Sequence, residues 1–164
     1  MYQASLPVFI QGLKNMSAIL TKASAFCEKR KVAPEVLVNS RLAPDMFPLA
    51  RQIQIATDGV KGAAGRLSGT EIPSYADTES TLDELQERIA KTIAYLETFK
   101  PAQIDGTEDK DINLKVGGRD LSFKGQEYLV SFVIPNFYFH TTTAYAILRH
   151  NGIHIGKLDF LGSN

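Results

Sequence analysis

A single histidine lies among aromatic and threonine residues in the stretch 135–144, near the end of this sequence. A helix turns by about 100° per residue, so His140 shares a face with Asn136, Thr143 and two apolar residues. A polar group on an otherwise apolar face indicates either a satisfied hydrogen-bond network in the core or a binding site. In a binding site, an imidazole acts as a general base or as a metal ligand.

Four other side chains are candidates to act with this histidine. Tyr138 is close to it in the sequence and carries a phenol that can donate a proton, so His140 and Tyr138 form the predicted catalytic pair. The alternative for Tyr138 is a structural tyrosine with a satisfied hydroxyl group. The predicted ligand-binding set joins residues of the last helix to two polar residues of an earlier helix. Its members are Asn136, His140, Thr143, Gln52 and Asp58.

The sequence offers few ligands for a transition metal. A zinc site needs three or four histidine, cysteine or carboxylate ligands, often spaced i, i+4 on a helix. Asn136 and His140 have this spacing, but the amide of asparagine is a poor ligand. His150 and His154 could join His140 only if the C-terminal tail folded back sharply. We therefore predict no cofactor and no metal, with Zn or Ni as the alternative.

Composition restricts the class of protein. The 164 residues suffice for one domain with a real core, and we assign residues 1–164 to a single domain. Eighteen basic residues balance eighteen acidic ones, which predicts neither a nucleic-acid partner nor a membrane partner. The single cysteine, Cys27, excludes an internal disulfide and fits a reducing compartment. With no signal-peptide pattern at the N-terminus, we expect a cytoplasmic protein.

The spacing of apolar residues predicts the elements that must position these side chains. Apolar residues recur at steps of three and four, which indicates helices over residues 3–28, 45–67, 82–96 and 126–150. Alternating apolar residues around two glycines predict a β-hairpin over 112–123. Together they predict an all-α four-helix bundle with a short hairpin before the last helix. Periodicity leaves an irregular array of helices as the alternative.

Several residues give more specific expectations about the helices. Thr81 and Glu84 have the spacing of a capping box, and Asp45 suits the positive end of a helix. Pro135 should kink the last helix, because it lacks a backbone donor. The tail at 153–164 carries apolar residues that should dock on the bundle. Three glycines in the second predicted helix indicate the close approach of a neighbouring helix. They are Gly59, Gly62 and Gly65.

Three blocks of the sequence resemble a known family. Arg41–Gln52, Asp83–Ile89 and Pro135–Gly152 resemble an uncharacterised family of bacterial and fungal proteins within the DinB/YfiT-like metalloenzyme superfamily. The resemblance covers nearly the whole chain. It implies a bundle in up-down-down-up order, with a long crossover between the second and third helices, and commonly a dimer. Better-known members bind a divalent metal through three histidines, one on the second helix and two at i, i+4 on the fourth, and some are thiol-dependent transferases or isomerases.

Matched onto this family, the chain lacks most of the histidine triad. The pair on the fourth helix becomes Asn136 and His140, and the second helix offers only Gln52, Gln54 or Asp58. The resulting hypothesis is a DinB-like bundle with a degenerate metal site that binds a small molecule at a polar pocket around His140, as a homodimer. The alternative is a metal- or histidine-dependent transferase or hydrolase. A third hypothesis is a purely structural interaction module with an extensive apolar dimer face.

Overall fold

The computed structural model describes residues 1–162 and shows a mostly helical chain with one small antiparallel sheet. The predicted single domain also includes residues 163 and 164, which lie outside the described residues. A 3₁₀ turn precedes the first helix and a π-helical segment, Tyr128–Val133, precedes α7. In chain order, the elements are α1 (Leu6–Arg30), α2 (Pro34–Val38), α3 (Leu49–Ser68), α4 (Leu82–Glu97), α5 (Pro101–Ile104), β1 (Asp111–Val116), β2 (Arg119–Lys124), α6 (Gly125–Glu127), α7 (Ile134–His150) and α8 (Lys157–Leu161).

The four long helices α1, α3, α4 and α7 pack in a closed cycle, since α1 and α3 each contact both α4 and α7. Each contributes buried apolar side chains to one shared core, for example Phe9, Ile53, Ile89 and Phe137. Full burial of such a side chain stabilises the fold by about 1.5–3 kcal/mol. The helix pair α3 and α7 positions the candidate site, because side chains on their facing turns meet. None of the helices in the described part of the chain is long and apolar enough to cross a membrane.

The helix α3 begins later than the sequence predicts. Its N-cap is Pro48, whose backbone is extended at φ −71° and ψ 169°. A residue that precedes proline is disfavoured in helical geometry, so Phe47 cannot extend the helix backwards. Asp45 therefore lies exposed in the preceding loop, and its predicted role at a helix end is wrong. The consequence for the site is that Gln52 falls in the first turn of α3.

The capping box at the start of α4 is confirmed. The Oγ1 atom of Thr81 accepts a hydrogen bond from the Glu84 backbone amide at 3.2 Å, and Glu84 Oε2 accepts one from the Thr81 amide at 3.0 Å. Two backbone donors that the helix itself cannot satisfy thereby gain partners.

The hairpin is also confirmed, with β1 and β2 paired antiparallel and Val116 opposite Arg119. Gly117 and Gly118 both have positive φ, at 56° and 81°, as a two-residue turn of type I′ requires. Gly125 follows directly, and a Cβ atom there would lie 2.0 Å from the backbone oxygen of Thr107. Only glycine therefore fits where the hairpin joins the last helical segment.

The last helical segment accommodates Pro135 in a way that periodicity does not predict. Proline lacks an amide donor and its ring crowds the carbonyl four residues earlier. The preceding turn, Tyr128–Val133, has π-helical hydrogen bonds, which widen the helix immediately before Pro135. After this segment, α7 continues regularly through Asn136 and His140.

The tail after α7 docks on α1 as expected, as far as the described residues extend. The Asn15 side chain donates to the Phe160 carbonyl at 3.0 Å, and Lys22 pairs with Asp159 at 2.5 Å. These contacts place α8 along α1.

Candidate functional site

A hydrogen bond between α3 and α7 forms the centre of the candidate site. His140 Nδ1 lies 2.7 Å from Gln52 Oε1. The histidine is only 7% exposed and the glutamine 1%. The structure thus brings together two of the residues that the sequence predicts for the site, although 88 positions separate them.

The partners of Gln52 determine which nitrogen of the imidazole carries the proton. Gln52 Nε2 donates to the backbone carbonyl of Phe47 at 3.0 Å, which fixes the orientation of the amide. The amide oxygen then faces His140 and can only accept, so Nδ1 must be the donor. In the neutral ring, Nε2 therefore keeps its lone pair. Among the described residues Nε2 has no hydrogen-bond partner, and it retains contact with solvent.

The surroundings of the ring favour its neutral form. Burial lowers the pKa of His140, and the positive charge of Arg51 lowers it further. A neutral imidazole with a fixed tautomer offers one hydrogen-bond acceptor to whatever reaches it, and that acceptor is also a base.

Two exposed aromatic side chains belong to the surroundings of the His140–Gln52 pair. The Phe139 ring meets the imidazole edge to face, with 5.1 Å between ring centroids. Phe47, whose carbonyl anchors Gln52, places its ring 6.0 Å from the guanidinium carbon of Arg51. The two phenylalanines are more than half exposed, at 59% and 55%. Exposed apolar surface therefore lies next to His140 and next to Arg51.

Asn136 lies one turn before the histidine and is half-buried. A Cβ atom at Gly59 would lie 3.4 Å from its Nδ2 atom, so this position of α3 faces α7 but would also accept a small side chain. The prediction of a close helix approach is wrong for Gly62, whose nearest neighbour is the side chain of Arg66 in the same helix, since a Cβ there would meet Arg66.

Three other predicted site residues lie apart from this pair. Thr143 is buried, and its hydroxyl donates to the Phe139 carbonyl at 2.7 Å. Asp58 pairs with Lys61 at 2.8 Å and with Arg88 at 2.9 Å. Tyr138 lies on another side of α7, so the structure does not bring the predicted catalytic pair together.

Tyr138 instead lines a groove of about 360 Å³ between α1, α7 and α8. The groove is mainly apolar, with Gly12 and Phe137 on its floor and Phe160 on its α8 side. A second groove, of about 440 Å³, runs from the C-terminal end of α1 past α2 to the start of α4 and includes Cys27. His140 and Gln52 line neither groove.

A buried arginine on α4 is the largest polar feature that sequence reasoning missed. The side chain of Arg88 is fully buried. Its Nε donates to Thr57 at 2.8 Å, its Nη1 pairs with Glu79 at 2.9 Å, and its Nη2 pairs with Asp58 and Asp77 at 2.9 and 3.0 Å. Three carboxylates from two chain segments thus compensate one buried cation.

The sequence contained a signal for this cluster. Arg88 occupies a position on the apolar stripe of α4, one turn from Leu85 and next to Ile89. A charged residue inside such a stripe is rarely buried without partners. Its partners could not be identified, because Asp77 and Glu79 belong to the loop 69–81 that has no periodic pattern.

The arginine cluster is continuous with the surroundings of His140. Asp77 uses one carboxylate oxygen for Arg88 and the other for Arg51, the residue before Gln52. The loop 69–81 is therefore tied both to the core arginine and to the first turn of α3.

The divalent metal that the resemblance implies does not fit these donors. Within residues 1–162, no group of three or more histidine, cysteine or carboxylate side chains is arranged to hold an ion. The oxygen of Gln52 already accepts from His140, and the amide of Asn136 is a weak ligand for zinc or nickel. His140 thus lacks the partners that such an ion requires.

Comparison with known proteins places this arrangement in a family. The model of a domain of unknown function, DUF1993, matches residues 1–161. The chain belongs to the DUF1993 family. The His140–Gln52 pair and the arginine cluster both lie inside the matched DUF1993 region. A comparison with curated proteins gives no match.

A solved structure is similar to this DUF1993 chain over nearly its full length. It is the crystal structure, at 1.83 Å resolution, of a DinB family member protein from Shewanella denitrificans. The two chains are 45% identical, with a TM-score of 0.90, and the match covers 99% of this chain and 92% of that chain. The DinB-like resemblance of the sequence is therefore confirmed.

Proposed function

We propose that this DUF1993 protein binds a small molecule at His140, in a degenerate form of the DinB-like metal site. The observation that carries the proposal is the hydrogen bond from His140 Nδ1 to Gln52. It leaves Nε2 as a fixed acceptor next to exposed aromatic surface. A ligand with an N–H or O–H group would donate to Nε2 and cover Phe47 and Phe139.

Fragment binding followed by NMR tests the proposal. The chain has three histidines, so the imidazole signals of His140, His150 and His154 can be separated and assigned. We expect fragments that carry one donor and an apolar ring to shift the Nε2 signal of His140. The exposed His150 and His154 serve as internal controls. A fragment library that leaves His140 unchanged, or shifts all three histidines equally, would contradict the proposal.

The proposal includes the absence of a tightly bound transition metal. Two of the three expected imidazoles are replaced by amides, one of which is occupied by His140. We expect elemental analysis of protein purified without chelator to find zinc and nickel far below one ion per chain. Stoichiometric zinc or nickel would contradict this part.

A histidine-dependent enzyme is the second candidate, favoured by the lone pair and the lowered pKa of His140. A catalytic base must be accessible from solvent. Diethyl pyrocarbonate acylates neutral imidazoles, so its reaction with His140 measures this accessibility directly. We expect mass spectrometry of the folded protein to show carbethoxylation of His140 at neutral pH. An unreactive His140 in folded protein would exclude catalysis by this residue.

We further propose an up-down-down-up bundle that forms a homodimer. The closed cycle of helix contacts supports the topology. The exposed Tyr138 and Phe139 on α7 and Val130 just before it support an apolar dimer face. Sedimentation velocity should give twice the chain mass, and a monomer at micromolar concentration would contradict the dimer.

A further inference from the structure

The guanidinium of Arg51 has unused hydrogen-bonding capacity beside the candidate site. Its Nη1 atom donates to Gln54 at 3.2 Å and pairs with Asp77. In the described part of the chain, its Nε and Nη2 atoms have no hydrogen-bond partner, and the side chain is 38% exposed. These two atoms form one edge of the planar fork, which binds the two oxygens of a carboxylate in parallel.

The carboxylate that already pairs with Arg51 contacts only its Nη1 atom and leaves the Nε–Nη2 edge free. Asp77 divides its two oxygens between Arg51 and the buried Arg88. The positive charge of Arg51 also favours the neutral form of the His140 imidazole. An anionic group beside Arg51 would accept two parallel hydrogen bonds from the Nε–Nη2 edge.

Arg51 and His140 belong to one local cluster. Arg51 is next to Gln52, whose side chain bonds to His140 and to the Phe47 carbonyl. The Phe47 ring lies 6.0 Å from the guanidinium carbon, a distance at which ring and cation attract. The Phe139 ring packs against the other member of the hydrogen-bonded pair, His140. A continuous chain of contacts thus links a cation, an acceptor and two aromatic rings.

We propose that the ligand of this site is a small organic acid, held by its carboxylate on the Nε–Nη2 edge of Arg51 and by an O–H or N–H donor on His140 Nε2. Its apolar body lies against Phe47 and Phe139. This inference rests on the proposed function, and it adds the charge and the chemical class of the ligand.

Matched acids and amides test the charge requirement. The probes are 3-hydroxybenzoate, 4-hydroxybenzoate and 4-hydroxyphenylacetate, each compared with its primary amide at equal concentration. We expect the acids to shift the His140 imidazole signal and to bind at least tenfold more tightly than their amides. Each amide keeps the shape and the phenol donor of its acid but lacks the charge, so the ratio isolates the anion contact.

Substitutions then assign the contact to one residue. Arg51→Gln should reduce the acid–amide ratio to near one, while Arg149→Gln, which removes an exposed arginine in the last turn of α7, should leave it unchanged. Thermal unfolding of both variants checks that each is folded. A folded Arg51→Gln variant that keeps the full preference for acids would overturn the proposal.

The remaining outcomes separate this inference from the proposed function. Equal shifts of His140 by acids and amides would overturn the anion subsite and leave small-molecule binding at His140 standing. If neither series shifts His140, both proposals are contradicted.

Discussion

The candidate site depends on one glutamine, Gln52, which pairs with His140 across α3 and α7. An amide differs from imidazole in that it both donates and accepts, and Gln52 uses both functions internally. A carboxylate at this position would favour a charged His140, and an apolar residue would leave Nδ1 without an acceptor. The glutamine therefore keeps the histidine neutral and oriented, which is the state required to accept a hydrogen bond from a ligand.

Replacement of Gln52 by leucine tests this role. The variant leaves the buried Nδ1 donor of His140 unsatisfied, and such groups cost about 1–3 kcal/mol. We expect Gln52→Leu to lower the free energy of unfolding by that amount in urea titrations. The same change at the exposed Gln126 should alter it by less than about 0.5 kcal/mol. Equal effects at both positions would show that the hydrogen bond between Gln52 and His140 does not stabilise the fold.

The element that most needs explanation is the loop 69–81, which has no regular structure between α3 and α4. Arg88 holds it through Asp77, Glu79 and the carbonyl of Ala76. Burial alone would raise the pKa of Glu79, but hydrogen bonds from Arg88, its own backbone amide and Gln54 outweigh this and lower it. Ion pairs and hydrogen bonds with Arg88 thus hold the loop in place, whereas apolar packing mainly holds the helices together.

Loss of the buried arginine should destabilise the protein far more than loss of a surface cation. Arg88→Met leaves the nearly buried Glu79 without its counter-ion, and breaking a buried pair from one side costs about 3–5 kcal/mol. Lys14→Met breaks an exposed pair with Glu97, worth at most about 1 kcal/mol. Denaturant midpoints of the two variants measure the difference. If Arg88→Met were as stable as Lys14→Met, the claim that ion pairs with Arg88 hold the loop would be refuted.

At the scale of the whole molecule, stability should depend on pH through two groups whose pKa values are both lowered in the folded state. His140 has a pKa below its ordinary 6.5 in the folded state, so the unfolded chain binds the proton more strongly. Stability is therefore complete above pH 6.5 and falls as the pH decreases through the folded pKa. The lowered pKa of Glu79 adds a second loss that begins below about pH 4.5.

Urea midpoints at pH 7.5 and pH 5.0 isolate the contribution of the histidine. Wild type should lose stability between these two values, because the proton must enter a buried site beside Arg51. His140→Gln keeps a donor for Gln52 but does not titrate, so its midpoint should change less. A variant that matches wild type at both pH values would show that His140 does not titrate in this way.

The sequence predicts the helices and the hairpin because their causes are local. Burial of one face leaves a 3.6-residue pattern, and a type I′ turn selects Gly117 and Gly118. The π-helical segment before Pro135 and the late start of α3 are not predicted. At both places the apolar periodicity of a helix competes with the backbone restrictions that proline imposes. The contact between Gln52 and His140 also escapes, since both residues are candidates but only the packing of α3 on α7 joins them.

The most direct test of the account is the protonation state of the His140 side chain in the ligand-free protein. Long-range ¹H–¹⁵N NMR at neutral pH distinguishes the two neutral tautomers from the charged ring. We expect a neutral imidazole with the proton on Nδ1 and an unprotonated Nε2, and we expect Gln52→Leu to abolish this preference. A proton on Nε2, or a ring charged at neutral pH, would contradict the role assigned to Gln52 and with it the candidate site.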